Sequence, residues 1–241
     1  MATIKGARAR ARIEVTAAIK DEARRRLAAE GAAKLSLRAV ARELGMVSSA
    51  LYRYFPSRDD LLTALIVEAY EKIGTAAESA LAASPPPGTA DIDVPLVRWV
   101  AICRAVRAWA LAHPHEYELI YGSPVPGYTA PQDTVVPAAR VGSALLAVAR
   151  DARRTGTLSV PPLAEEVRPE AHRLTAQLAP DLPPGVVVAL VAAWSQLFGL
   201  ISFELFGQFN RMIEDRGPFF DQAVARLGRE AGLQGRTSVA L

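Results

Sequence analysis

At 241 residues the chain is long enough for one large domain or two small ones, and half of it is apolar, so a sizeable core is expected. The single cysteine, Cys103, excludes an intrachain disulfide and fits a reducing, cytoplasmic setting, with the thiol as a small buried hydrophobe. The net charge of +3 is uneven: residues 1–60 carry 13 Lys and Arg against seven Asp and Glu, so the remainder is net −3, and a basic head of this kind suits a polyanion.

Residues 1–13 interleave Lys5, Arg8, Arg10 and Arg12 with small residues. They are expected to form a disordered arm, which either follows phosphates or enters a minor groove, or merely solubilises. They contain no apolar segment, so no secretory signal is expected. A first helix is predicted over 14–30, with Val15, Ile19, Ala23 and Leu27 as its apolar stripe and Gly31 as its stop. Its Arg24-Arg25-Arg26 run is expected to be a solvated face.

Ser36 is a predicted N-cap. Leu37, Val40, Ala41 and Leu44 follow at helical spacing, and Gly45 stands where the backbone must turn. Ser48 is the predicted cap of a second short helix. Its apolar side carries Leu51 and Phe55, with Ala50 and Tyr54 nearby, while Ser48, Ser49, Tyr52 and Arg53 fan across the other. Helix, glycine turn, helix is the layout of a helix-turn-helix, and short hydroxyls, a phenol and a guanidinium on one face can reach base edges and phosphates.

Ser57 caps the next predicted helix, with Asp59 and Asp60 in its first turn. Leu61, Leu62, Leu65, Ile66, Ala69, Tyr70 and Ile73 line one side, and the helix runs past Leu81 until Ser84-Pro-Pro-Pro-Gly88 ends it. Further helices are predicted over 94–112, with Trp99, Ile102, Cys103, Val106 and Ala110 inward, and over 114–121. A loop over 122–131 leads to a helix over 135–154 that aligns Val141, Leu145, Val148 and Ala152. Proline pairs bracket a shorter helix, and helices over 186–209 and 218–231 close the body. No strand-like alternation persists, so the fold class is all-α. Residues 232–241 are expected to be frayed. Val186 to Phe206 is apolar enough to mimic a membrane span, but Ser195, Gln196, Ser202 and Glu204 interrupt it, so a buried helix is expected.

Nothing points to catalysis. Ser143, Ser195 and Ser202 lack the context of an activated nucleophile, and no glycine-rich phosphate loop is present. His113, His115, Glu116 and His172 lack a diagnostic ligand spacing, so no metal and no cofactor is expected. His113 fits better as the N-cap before an N1 proline. The helix over 186–209 carries Leu190, Trp194, Leu197, Phe198, Ile201 and Leu205, a stripe wider than one core face needs, so these six are expected at a partner surface.

The run Leu51-Tyr52-Arg53-Tyr54-Phe55-Pro56-Ser57-Arg58-Asp59-Asp60-Leu61, in register with its glycine turn, resembles the DNA-binding module of the TetR family of bacterial regulators. The resemblance is strong over about residues 14–70. Trp109 to Gly122, with Ala193-Trp194-Ser-Gln-Leu-Phe198-Gly199, is similar to a TetR subgroup named for a Trp-(x)n-His-Gly motif, although Phe198 stands where that histidine would be. The resemblance implies a helix-turn-helix domain over 1–57, a helical ligand-binding and dimerisation domain over 58–231, and a tail over 232–241. It implies a homodimer closed by the last two long helices as a four-helix bundle, a near-palindromic DNA operator, and a connecting helix after Ser57 that transmits motion. Ser48, Ser49, Tyr52, Arg53 and Tyr54 would face the operator, and Ser36, Arg38 and Arg58 would hold phosphates. An effector pocket would draw on Trp99, Cys103, Tyr117, Tyr121 and Phe203, which suggests an apolar or aromatic ligand. The expected function is a ligand-responsive repressor. The alternative is a dimeric small-molecule-binding or scaffolding protein that no longer regulates DNA.

Overall fold

The computed structural model describes residues 2–86 and 93–233. Among these residues the secondary structure is helical, with no sheet. The helices are α1 (Ala2–Glu30), α2 (Leu37–Glu43), α3 (Ser48–Leu51), α4 (Arg58–Ala83), α5 (Val94–Ala112), α6 (Pro114–Tyr121), α7 (Val135–Ala138), α8 (Arg140–Arg154), α9 (Arg168–Leu178), α10 (Pro184–Leu205) and α11 (Arg216–Glu230).

Several boundaries differ from expectation, among them the end of α10, which stops at Leu205 rather than reaching Phe209. Residues 2–13 are not a disordered arm but the beginning of α1. Alanine and arginine, both strong helix formers, alternate over residues 7–12 and no proline intervenes, so the helix propagates back through Gly6 without an apolar stripe of its own. The helix expected over 135–154 is broken at Ala139, between α7 and α8. Gly232 and Leu233 are not frayed: the Ser159 N–H donates to the Gly232 carbonyl at 2.9 Å, and Leu158 bridges Leu233. Positions 234–241 of the expected tail, and Pro87 and Gly88 of the proline loop, lie outside the described residues.

The chain forms two compact units. The head comprises Met1–Tyr70 and His113–Pro137; the body comprises Glu71–Ala112 and Ala138–Leu241. This division falls inside α4 rather than at Ser57, because Leu61, Leu62 and Leu65 of α4 complete the head's core. There they meet Ile19, Ala23 and Leu27 of α1, Leu37, Val40 and Ala41 of α2, and Leu51 and Phe55. Fully burying a side chain such as Leu or Ile contributes about 1.5–3 kcal/mol, so this cluster holds the short α2 and α3, too short to persist alone. Leu119, Val125 and Tyr128, far along the chain, pack against the same cluster. The Tyr128 and Thr63 hydroxyls lie 2.9 Å apart, and Tyr70 donates to the Ile120 carbonyl at 3.2 Å.

In the body α5 is central and packs on α8, α10 and α11. Trp99 is fully buried and donates its indole N–H to the Val224 carbonyl at 2.8 Å. One turn on, Gly228 allows close approach: a Cβ there would stand 2.9 Å from Trp99 Cδ1 and Leu96 Cδ1. Arginines of α5 tie the neighbouring helices. Arg98 pairs with Asp151 of α8, Arg104 with Asp221 of α11 (2.7 Å through both nitrogens), and Arg107 with buried Glu204 of α10 at 2.6 and 2.7 Å. Among the described residues α10 is the one helix long and apolar enough to cross a membrane. Its packing on α5 and α9 and the Glu204 pair give it the role of a core helix.

Candidate nucleic-acid interface

The helix-turn-helix is built by local chemistry. After α2 the Met46 N–H donates to the Ala41 carbonyl at 2.8 Å and the Gly45 N–H to Arg42 at 3.2 Å, with Gly45 at φ +63°. That is a Schellman stop, which asks for a left-handed residue where glycine carries no Cβ penalty. Ser57 closes the other side: the Asp60 N–H donates to Ser57 Oγ at 3.1 Å and Ser57 Oγ donates to Asp60 Oδ2 at 2.7 Å, a reciprocal cap on α4. Two expected caps are different. Ser36 holds the N-cap backbone position of α2 without a side-chain hydrogen bond, and α3 is capped in position by Val47, with Ser48 as its first residue.

Leu51 and Phe55 are buried, so α3 and the turn after it present Ser48, Ser49, Tyr52 and Arg53 outward, all exposed. Arg38 and Arg42 of α2 and Lys34 are exposed as well, and Val47 stands 71% exposed at the tip of the turn. Two predicted contacts belong elsewhere. Tyr54 is half-buried against the head's core, with the Arg12 guanidinium over its ring at 5.5 Å. Arg58 is not held out for a phosphate: its Nε donates to the Leu35 carbonyl at 3.2 Å, and its Nη2 to Ala32 at 2.9 Å and Ala33 at 3.3 Å. A guanidinium fork fits several carbonyls at once, so Arg58 staples α4 to the turn that precedes α2. The Arg24–Arg26 run is likewise no free solvated face. Arg24 pairs with Asp21, Glu68 and Glu116, and Arg26 with Glu22 and Glu30, while Lys20 shares Glu68. Asp21, Glu22 and Glu30 lie on α1 itself, whereas Glu68 and Glu116 lie on α4 and α6, where sequence reasoning could not place them.

A family of bacterial regulatory proteins, tetR family, matches residues 19–65, and a tetracyclin repressor-like C-terminal domain matches residues 99–227. An HTH-type transcriptional regulator of Mycobacterium tuberculosis, Rv1816, is 40% identical over 223 residues, covering 90% of this chain and 92% of that protein. The chain belongs to the TetR family. Its fold agrees: the crystal structure of the regulatory protein SCO4313 superposes with a TM-score of 0.72 at 37% identity, covering 90% of this chain and 97% of that one. A TetR family regulator from Shewanella sp. PV-4 shares the fold alone, at 16% identity and a TM-score of 0.56 over 88% of this chain and 95% of that one. The protein is therefore a DNA-binding transcriptional regulator of the TetR type.

In this TetR protein the six residues expected at the partner surface do not share one exposed face. Leu190, Leu197, Phe198 and Ile201 are buried inside the subunit, Leu205 is half-buried, and only Trp194 is exposed, stacked edge-on against Phe198 at 5.6 Å. The stripe is core, because α9, α5 and α11 cover it. The outward face of α10 is Ser195, Gln196, Gly199 and Phe203, and it continues onto Phe209, Phe219 and Ala223 as an open groove. Phe203 and Phe219 flank Phe209, each at 5.7 Å, and are 52% and 41% exposed. Phe203 is thus a surface residue rather than a pocket wall. The other pocket candidates divide between units. Trp99 and Cys103 are buried in the body, and burial pushes the Cys103 thiol well above its ordinary pKa. Tyr117 and Tyr121 belong to the head and stack at 5.2 Å; burial, then Tyr70 and Tyr117, hold the Tyr121 phenol neutral.

Proposed function

We propose that the protein is a homodimeric, cytoplasmic, ligand-responsive repressor that binds a near-palindromic operator. The observation that carries this reading is the exposed row of Ser48, Ser49, Tyr52 and Arg53 on a recognition element whose opposite side is locked into the core. Arg38, with Arg42 and Lys34 beside it, supplies phosphate contacts that fix register. Two copies meet through the groove face of α10 and α11, where Gly199, Leu200, Phe203, Phe209 and Phe219 leave apolar surface without a partner in the subunit. Two-fold pairing would present two recognition elements to successive major grooves. A small apolar or aromatic effector taken into the body shifts the population away from the DNA-competent state.

The test is a duplex selected by the wild-type protein from a random-sequence pool, compared with a scrambled duplex of equal length. Tyr52→Ala and Arg53→Ala should each lose discrimination between the two by about 1–3 kcal/mol, the worth of a good base contact. Variants that discriminate as wild type does would refute the assignment of the recognition residues.

A further inference from the structure

The tip of the helix-turn-helix carries an apolar side chain where the helix it opens would be better served by a polar one. Val47 holds the N-cap position of α3 and leaves that helix without a side-chain cap. A serine, threonine or asparagine there would accept a hydrogen bond from a backbone N–H of the first turn, and valine cannot. Nor does Val47 serve the core. Met46 before it packs against the head's core and Leu51, one turn on, is buried within it, whereas Val47 is 71% exposed.

The side chain is held in place from both sides. The Met46 N–H donates to the Ala41 carbonyl at 2.8 Å, and the Val47 carbonyl accepts from the Ala50 N–H at 2.9 Å. A β-branched side chain on a fixed backbone has few rotamers, so it loses little entropy when another surface closes over it. Exposed Ser48 and Ser49 follow directly, with Tyr52 and Arg53 further along the same element. The two methyl groups of Val47 therefore stand at the leading end of a row of hydrogen-bonding side chains. Among the base edges of the major groove, the apolar group on offer is the C5 methyl of thymine.

We propose that Val47 reads a thymine in each half of the operator by packing its methyl groups on the C5 methyl. The inference rests on the proposed operator binding and assigns that site a base. The hydrogen-bonding groups beside Val47 are blind to the methyl, because deoxyuridine presents the same O4 acceptor as thymidine. Removing the methyl alone therefore separates the apolar contact from the polar ones.

The experiment takes the duplex selected by the wild-type protein and replaces its thymidines, position by position and in both half-sites together, with deoxyuridine. Full-length wild type and Val47→Ala are titrated on each of these duplexes and on the scrambled one. Alanine is no better an N-cap than valine, so the substitution leaves the capping of α3 as it is, and thermal unfolding checks that the head is intact. At one position wild type should lose about fourfold in affinity per half-site, the worth of one buried methyl. Val47→Ala should lose about as much on the unmodified duplex and nothing more when that same thymidine becomes deoxyuridine. It should bind the scrambled duplex as wild type does. If Val47→Ala kept every deoxyuridine penalty that wild type shows, or if wild type showed none, the inference would be overturned and the operator reading left intact. An equal loss on selected and scrambled duplexes would also overturn it, since a backbone contact does not discriminate between sequences. Wild-type protein that selects no duplex would remove both readings.

Discussion

Replacing Arg58 with alanine should destabilise the head rather than release a phosphate. The guanidinium donates to three carbonyls, Ala32 at 2.9 Å, Leu35 at 3.2 Å and Ala33 at 3.3 Å, and its side chain is 28% exposed. Hydrogen bonds from charged donors contribute about 1.5–3 kcal/mol, but water can replace part of this at a half-exposed site. A loss of about 2 kcal/mol in all is therefore expected. In a unit of this size each kcal/mol moves the midpoint by about 4–8 °C, so the head should melt roughly 8–16 °C lower. Arg58→Lys should recover less than half of the loss, since an ammonium cannot span the same carbonyls. Thermal unfolding followed through the head, together with the salt dependence of DNA affinity, gives the two readouts. If Arg58→Ala melted as wild type does while the salt slope fell by about 0.9, Arg58 would be a phosphate contact and the staple argument would fail.

Three further outcomes follow from packing and charge. Gly228→Ala places a methyl 2.9 Å from Trp99 Cδ1 and Leu96 Cδ1, so α11 must move off α5 at a cost of about 1–3 kcal/mol, measurable by urea unfolding. Phe203→Glu puts a carboxylate into the groove of Phe209 and Phe219 and should shift sedimentation toward the monomer, whereas Leu190→Ala should lower stability by about 2–5 kcal/mol through a cavity. The body should also lose stability in acid. Hydrogen bonds from Arg140, Arg150 and Arg104 hold the Glu78, Asp181 and Asp221 carboxyls below their ordinary pKa values. Depressed carboxyl pKa values give stability that is present above about pH 4 and lost as the pH falls through the folded-state values. The effect should be small and blunted by salt because the pairs are largely exposed, and pH-dependent denaturation at two salt concentrations would show it.

The sequence by itself determined the all-α class, the helix-turn-helix, and which side of α3 faces out. Those features rest on local rules: the Gly45 stop, the Ser57 cap, and the spacing of Leu51 and Phe55 each involve residues a few positions apart. The N-terminal helix was legible in alanine and arginine propensity but hidden by the lack of an apolar stripe. What only the tertiary structure decided were the features that depend on partners distant in the chain. Arg58 reads as a basic residue beside a DNA reader, yet carbonyls more than twenty residues away claim it. Leu197 and Ile201 share an apolar helix with Phe203, but periodicity does not say which face α5 and α11 cover. A helical stripe fixes an angle around its own axis, and only the packing of other helices turns that angle into an inside and an outside.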